Sequence, residues 1–339
     1  MAEPGLPDEA ARFLREWLGE GWSVEALPGD ASVRRYFRIR LPDGSTHMLA
    51  YYPNEVRAQL RQFLDAYGAV VSHGQVPEVL QHSDAVVLQR DVGGRTLFDL
   101  LHEDRQEGIR LYRKAIETLV AFQRATAGSV NPPFSADFFT AELEMTREFY
   151  VEKLMGVRPE TSRRLEPLFR RLAENISRHP YVLCHRDYHG QNIHILRGTL
   201  YIIDYQDLRM GPDTYDLASL LRDRGVARIL GETLELELVS YYAVLRAADD
   251  GLRSRYFGTL LQRSMKILGT FSRQPIERGR LHYLDFIPAT LESVQQCLRE
   301  LPEFVELGML FPLDFSLDDA QRRVKRWLDG SAQDHASAG

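Results

Sequence analysis

The sequence predicts an α+β fold in two lobes, a small antiparallel β-sheet first and a mostly helical body after it, on three observations. Between residues 23 and 90, short runs rich in Val, Ile, Tyr and Phe alternate with turns containing Gly, Pro and Asp. Beyond Val92-Gly93-Gly94 the apolar residues recur at helical spacing instead. The 339 residues are 44% hydrophobic and 27% charged, which suffices for a full core and, at roughly 150 residues per domain, for two of them. The expected division is an N-lobe over 1–91 holding a five-stranded sheet, a helical C-lobe over 92–329, and a flexible tail over 330–339.

Residues 9–18 (EAARFLREWL) read as an amphipathic helix with Ala10, Phe13, Leu14 and Trp17 on one face. Strands follow at Ser23 to Leu27 and Arg34 to Leu41, separated by a Gly/Asp/Ser loop, and Pro42-Asp43-Gly44-Ser45 turns the chain into a third strand, His47 to Tyr52. Val56, Leu60, Phe63, Leu64, Tyr67 and Val71 mark a helix, and Ser83-Asp84 joins two further strands, Glu78 to Gln81 and Ala85 to Arg90. Thr96 with Asp99 three residues on is an N-cap signal, and Ile109, Tyr112, Ile116, Leu119, Val120 and Gln123 carry the next helix. One β-rich island, Tyr181 to Asp204, interrupts the helical part: YVLC, a polar loop, NIHIL, an Arg197-Gly198 turn and TLYIID. No internal repeat is visible, and the last ten residues, GSAQDHASAG, read as a frayed tail.

Several function classes fall away. The N-terminus, MAEPGLPDEAARF, carries acids and prolines where a secretory signal needs a basic start and an apolar run, and no stretch approaches the roughly 18 apolar residues of a membrane span. Cys184 and Cys297 are the only cysteines, too few for a disulfide framework, so a reducing, cytoplasmic compartment is expected. A formal charge of −6 without a Lys/Arg block argues against nucleic acid. A small-molecule substrate and a monomeric chain are expected.

The chemistry concentrates in CHRDYHGQNIHILRGTLYIID, residues 184–204. Asp187 follows an apolar strand and His-Arg, Asn192 opens a second strand, and Asp204 closes a third, so three oxygen-bearing side chains converge on one small hairpin. Phosphoryl transfer from a nucleotide needs one carboxylate to orient the attacking hydroxyl, and carboxylate and amide oxygens to hold Mg²⁺ against the phosphates. Asp187 suits the first role, and Asn192 and Asp204 suit the second. The bland alternative is a polar hairpin whose acids cap turns. A zinc site from Cys184, His185, His189 and His194 is a further alternative, although the flanking β pattern puts these residues in strand and loop and Cys184 at the end of an apolar strand.

Pro28-Gly29-Asp30-Ala31-Ser32 lies between two strands, and small residues there allow backbone N–H groups to approach phosphate oxygens; a plain hairpin turn is the alternative. The basic strand RRYFRIR then sets Arg34, Tyr36 and Arg38 on one face and Arg35, Phe37 and Ile39 on the other. After Asp204-Tyr-Gln-Asp207, Asp213 or Thr214 is placed to N-cap a helix in whose first turn Asp216 sits, where it would support the catalytic loop; Asp207 reads either as a second metal contact or as a surface acid.

On these residues the chain resembles the aminoglycoside phosphotransferase and choline kinase superfamily, small-molecule relatives of the protein kinases, over nearly its whole length. The resemblance implies a protein-kinase-like fold and an ATP- and Mg²⁺-dependent kinase. CHRDYHGQN resembles the catalytic loop, with Asp187 as base and Asn192 as metal ligand, and IIDYQD resembles the metal motif, with Asp204 as the other ligand. His185, Asp207 and Asp216 would support them from behind. PGDASVRRYFRI looks like the nucleotide loop, with Gly29, Asp30, Ala31 and Ser32 at the phosphates, and VVLQRDVGGRTL looks like the hinge, so that backbone at Gln89, Arg90 and Asp91 would hold adenine. GDASVRRYFRI, DYQDLRMGPDTYDLASLL and QRSMKILGTFSR with YLDFIP after it are similar to the anomeric kinases of N-acetylmuramate and N-acetylglucosamine in cell-wall recycling, which implies an amino-sugar substrate. Arg263 and Lys266 are candidates to contact it, while Met265, Leu268 and Thr270 of the same helix are expected to pack inward.

One departure stands out. The superfamily usually places a lysine on the third strand to hold the α- and β-phosphates, but here that strand reads HMLAYYP, and the chain has no lysine before Lys114. Arg34, Arg35 or Arg38 is expected to serve instead; the alternatives are neutralisation by metal and backbone alone, or weak nucleotide binding. A rival reading keeps the chemistry but moves it to another hydroxyl, of an aminoglycoside, choline or a homoserine-like metabolite; cationic substrates would need a carboxylate-lined site, for which Glu142 and Glu144 or Asp249 and Asp250 are available unless they are simply solvated. A non-catalytic pseudokinase is the other rival, supported only by the missing lysine.

Overall fold

The computed structural model describes residues 5–28, 33–125, 131–223 and 225–336. In chain order it begins with α1 (Asp8–Leu18), β1 (Ser23–Ala26), β2 (Arg35–Arg40), β3 (Thr46–Tyr51), α2 (Arg57–Val70), β4 (Val79–His82), β5 (Val86–Arg90), α3 (Leu97–Glu103) and α4 (Arg105–Phe122). There follow α5 (Ala136–Thr146), a π-helical continuation at Arg147–Leu154, the single turn α6 (Pro159–Ser162), α7 (Glu166–Ser177), β6 (Tyr181–Cys184), β7 (Ile193–Leu196), β8 (Thr199–Ile202) and β9 (Arg209–Pro212). The chain closes with α8 (Tyr215–Leu221), α9 (Val226–Arg246), α10 (Leu252–Arg278), α11 (Ile287–Glu300), α12 (Val305–Leu310) and α13 (Leu317–Ala336). These elements form two compact units, one from the residues up to Pro132 together with His185–Arg209, the other from Pro133–Cys184 together with Met210 onward.

The first unit is built on a five-stranded antiparallel sheet in the order β1-β2-β3-β5-β4. The expected strands and the helix between them are present to within about two residues. Period-2 alternation divides the two faces. The registers Phe37↔Leu49 and Leu49↔Leu88 line up three apolar side chains in a row across the sheet. Together with Ile39 they bury completely against Ala10 and Leu14 of α1, each such side chain contributing about 1.5–3 kcal/mol by leaving water. The opposite face carries Tyr36, Ala50 and Val87 in the next row. In the β2–β3 turn, Asp43 accepts from the Ser45 amide at 2.9 Å and Gly44 adopts φ +82°.

Thr96 caps α3 with the reciprocal pair that its spacing to Asp99 predicts: the Thr96 hydroxyl accepts from the Asp99 amide at 3.0 Å, and the Asp99 carboxylate accepts from the Thr96 amide at 3.2 Å. β7 and β8 form the expected hairpin, and Arg197 (φ +51°) and Gly198 (φ +76°) both lie in the left-handed region, as the tightest hairpin turn requires.

In the second unit β6 pairs with β9, a strand absent from the sequence reading because RMGP is four residues long and contains both Gly and Pro. α10 is the longest helix among the described residues. Met265 and Leu268 are fully buried on it as expected, but Thr270 is half-exposed and turns its hydroxyl back to the Lys266 carbonyl. The inward position belongs instead to Gly269, where a Cβ would stand 2.7 Å from Thr146 Oγ1 and 3.0 Å from Thr146 Cα. Thr146 uses that hydroxyl to donate to the Met265 carbonyl at 2.8 Å, which locks α5 against α10. Among the described residues no helix is long and apolar enough to cross a membrane.

Candidate active site

The hairpin of the first unit binds its three sequence-predicted segments together through hydrogen bonds. His185 is completely buried; its Nδ1 accepts from the Asp187 amide at 3.3 Å and its Nε2 stands 2.8 Å from the Ile203 carbonyl. A carbonyl only accepts, so Nε2 carries the proton and the ring is the neutral Nε2–H tautomer. Asn192 adds two more ties. Its Nδ2 donates to the Asp187 carbonyl at 3.0 Å, and its own carbonyl accepts from the Ile203 amide at 3.0 Å. The backbone at Asp187, Asn192 and the residue before Asp204 is therefore one hydrogen-bonded ring, from which the Asp187 and Asp204 side chains reach solvent.

Two residues of the ring take left-handed backbone, Arg186 at φ +80° and Asp204 at φ +62°. Asp tolerates this region through local hydrogen bonding, whereas for Arg it is an uncommon conformation that costs energy and persists only because the surroundings dictate it. Those surroundings are identifiable: Tyr188 donates from its buried hydroxyl to the Ala115 carbonyl of α4 at 2.8 Å, the Ile195 amide donates to the Arg95 carbonyl at 2.8 Å, and Gly190 lies so close to α3 that a Cβ would sit 3.0 Å from the Phe98 nitrogen. Asp204 Oδ1 accepts from Gln206 at 2.8 Å. Asp207 is held from α2, where Gln62 Nε2 reaches its carboxylate at 3.4 Å and the Gln206 carbonyl at 3.2 Å.

The basic strand separates the three candidate arginines. Arg35 lies over Phe37 on the α1 side of the sheet and donates to the Gly5 carbonyl. Arg38 pairs with Asp91 at 2.6 Å. Burial alone would raise the Asp91 carboxyl, but the Arg38, Gly93 and Thr46 donors hold it below the usual carboxylate range. Arg34 lies 5.9 Å from the Tyr36 ring centre and 6.0 Å from that of Tyr52, hydrogen-bonds to Tyr52, and is within electrostatic reach of Asp204. Burial, with the neighbouring Tyr36, pushes the Tyr52 phenol up to about 12, so it is neutral at physiological pH. Gln89 is half-buried in the sheet; the Arg90 amide donates to the Glu78 carbonyl at 2.9 Å and its guanidinium pairs with the Glu78 carboxylate at 2.7 Å. Gly29, Asp30, Ala31 and Ser32 lie outside the described residues.

In the second unit, Thr214 occupies the N-cap position of α8 without capping it; its hydroxyl meets Thr259 at 2.9 Å. Asp213 pairs with Arg255 at 3.0 Å, and Asp216 is fully buried in the first turn of α8. Arg263 stacks over Tyr215 at 4.3 Å and donates to Ser219 at 2.9 Å. Lys266 stands 3.7 Å from Glu142, which also accepts from Gln262 at 2.8 Å. Of the acids that a cationic substrate would need, Glu142 is thus engaged within the protein, as are Glu144 with Arg147 and Asp249 with Arg255, both at 2.7 Å. The zinc alternative also falls: among the described residues no group of three or more His, Cys, Asp or Glu is arranged to hold a metal, and His194 Nδ1 is occupied with the Gly93 carbonyl at 2.7 Å. Sequence reasoning did not find Tyr52, Gln62 or Tyr188. Tyr52 left a faint trace, as the residue ending the strand without a lysine.

A model of the phosphotransferase enzyme family matches residues 23–253. The chain belongs to this family. It is accordingly a kinase, and the pseudokinase reading is set aside. Over 313 residues it is 28% identical to the N-acetylmuramate/N-acetylglucosamine kinase of Pseudomonas aeruginosa, covering 88% of this chain and 91% of that one. The protein of the same name from Neisseria meningitidis is also 28% identical, over 88% of this chain and 93% of its own. Among solved structures, the ADP-bound aminoglycoside phosphotransferase APH(2'')-Ib superimposes with a TM-score of 0.62 at 14% identity, covering 86% of this chain and 99% of that one. A choline/ethanolamine kinase family protein from Mesorhizobium loti gives 0.57 at 16% identity, over 94% of this chain and 99% of its own. These likenesses fix the fold as protein-kinase-like.

Proposed function

We propose that this kinase transfers the γ-phosphoryl group of ATP to the anomeric hydroxyl of an N-acetylated amino sugar, N-acetylmuramate or N-acetylglucosamine, giving the sugar 1-phosphate and ADP. The observation that carries the reading is the hydrogen-bonded ring joining Asp187, Asn192 and Ile203, which supports a proposed base and two proposed oxygen ligands on one frame. The substrate class is supported by the names of the relatives at 28% identity over about nine-tenths of both chains.

Asp187 is the base. It is exposed at the tip of the loop and acceptor-only when ionised, so it orients the sugar hydroxyl and receives its proton as the oxygen attacks phosphorus in line. The anomeric hydroxyl is more acidic than an ordinary alcohol, which eases that transfer. Asn192 commits its Nδ2 to the Asp187 carbonyl, and this fixes the amide with Oδ1 as its ligand atom. That oxygen and the Asp204 carboxylate are hard donors of the kind Mg²⁺ takes, and the ion, when bound, neutralises charge on the phosphates. His185 holds the two halves of the ring in register. Asp207, fastened to α2 through Gln62, serves as a support. Arg263 and Lys266 remain the proposed sugar contacts from α10, and backbone at Gln89 to Asp91 the proposed adenine contact. The Gly29 to Ser32 loop is proposed to cover the phosphates.

The test is a panel of amino sugars incubated with ATP and Mg²⁺, with the product read by phosphorus NMR. A phosphorus signal coupled to the anomeric proton is expected; phosphorylation at another position would refute the anomeric assignment, and no turnover of any amino sugar would refute the substrate class. In the same assay Asp187→Asn should lower kcat by about 10²–10⁴-fold with the KM for ATP nearly unchanged.

A further inference from the structure

Polyphosphate held beside a carboxylate needs a fixed cation of its own, and the first unit has no lysine before Lys114 to supply one. We propose that Arg34 is the residue that grips the β-phosphate of the nucleotide, its guanidinium held in place by the rings of Tyr36 and Tyr52. The inference rests on the reading of Asp204 as part of the phosphoryl-transfer site.

The two tyrosines hold Arg34 in place. The cross-strand register Tyr36↔Ala50 puts Arg34 opposite Tyr52, just past the end of β3, and the guanidinium lies about equally far, 5.9 and 6.0 Å, from both ring centres. Tyr52 is 1% exposed, so one wall of this slot is dry. A guanidinium confined between aromatic faces loses little rotamer freedom when it binds an anion, is shielded from water, and presents a planar fork that matches two phosphate oxygens. A lysine in the same slot would be a mobile point charge.

Its partners point the same way. Asp204 interacts electrostatically with Arg34 and with both tyrosines, so the arginine lies beside the charge of a proposed metal ligand. The other two candidate arginines have different work, Arg38 in its pair with Asp91 and Arg35 on the α1 side.

The experiment measures calorimetric binding of ADP, AMP and adenosine to the full chain and to Arg34→Ala. Arg34→Ala is expected to weaken ADP about 10- to 100-fold, the value of one charge-assisted bidentate contact, and to leave adenosine unchanged. Unchanged ADP binding, or equal loss of ADP and adenosine, would overturn the proposal, the second outcome because it marks a structural defect. If Arg34→Ala fails to fold, Arg34→Gln replaces it: the amide still packs between the rings and lacks only the charge. Asp187→Asn separates the two readings, because retained turnover in that variant would undo the catalytic assignment while the ADP-to-adenosine contrast still reports on Arg34.

Discussion

Replacing His185 by alanine removes two hydrogen bonds at one stroke and leaves the Asp187 amide and the Ile203 carbonyl facing a cavity. An unpaired backbone group costs about 1–3 kcal/mol when fully buried, and both of these are only part-buried, so about 2–6 kcal/mol is an upper bound for the two together before the cavity is counted. Part of that cost will be relieved by movement, and the parts free to move are the segments bearing Asp187 and Asp204. A displacement of about 1 Å between reacting groups can cost roughly 10²-fold in rate. The expected result is a fall in kcat of that order at saturating ATP and sugar, with a lowered melting temperature. His185→Gln, which keeps one acceptor and one donor at the end of its side chain, should recover part of both. If His185→Ala turned over within about threefold of the parent and melted at the same temperature, the idea that this imidazole keeps the ring in register would be refuted.

Three further outcomes are expected. Asp204→Ala should raise the Mg²⁺ concentration for half-maximal rate by at least about 10-fold, since one of the two proposed protein oxygen ligands is gone, and titration of the metal at fixed ATP reads it directly. Glu235→Gln should destabilise the second unit by about 3–5 kcal/mol, because Arg222 (10% exposed) meets the Glu235 carboxylate (3% exposed) at 2.6 Å, and breaking a buried pair from one side strands the remaining charge. Urea unfolding followed by tryptophan fluorescence measures that cost. Gly269→Val should cost at least about 1–3 kcal/mol in the same measurement, with branched carbons driven into Thr146 where a single Cβ already comes within 2.7 Å.

Much of this was legible from pattern, because the informative features were local. Alternating residues bounded by Gly, Asp and Pro reveal β1 to β5, and Thr96 with Asp99 announces its own cap. The hairpin of Asp187, Asn192 and Asp204 is likewise a matter of near neighbours, with strand, turn and strand inside twenty residues. Pattern fails where a partner is remote. That Arg38 spends its charge on Asp91, 53 residues on, depends on the register of three strands, and nothing near Arg38 announces it. Gln62 reaches Asp207 from 145 residues away. Helical period is too coarse to choose between Gly269 and Thr270 as the inward residue, because both lie near the edge of the buried stripe; the approach of α5 decides it. The His185 tautomer is set by a carbonyl that only the folded chain brings near.

The first unit is assembled from two stretches of chain separated by 52 residues of the other, Pro133–Cys184. A ribosome that has delivered everything up to Pro132 has made the five-stranded sheet and its helices, yet the Arg95 and Gln75 carbonyls still lack the amides of Ile195 and Ile202, and the Lys114 ammonium still lacks the Gly198 carbonyl. Translation must run to about Arg209 before the hairpin can insert. A fragment ending at Pro132 would therefore be an incomplete fold with no chemistry. The strands that precede the interruption and the hairpin that follows it therefore complete one unit only after the intervening segment has been made.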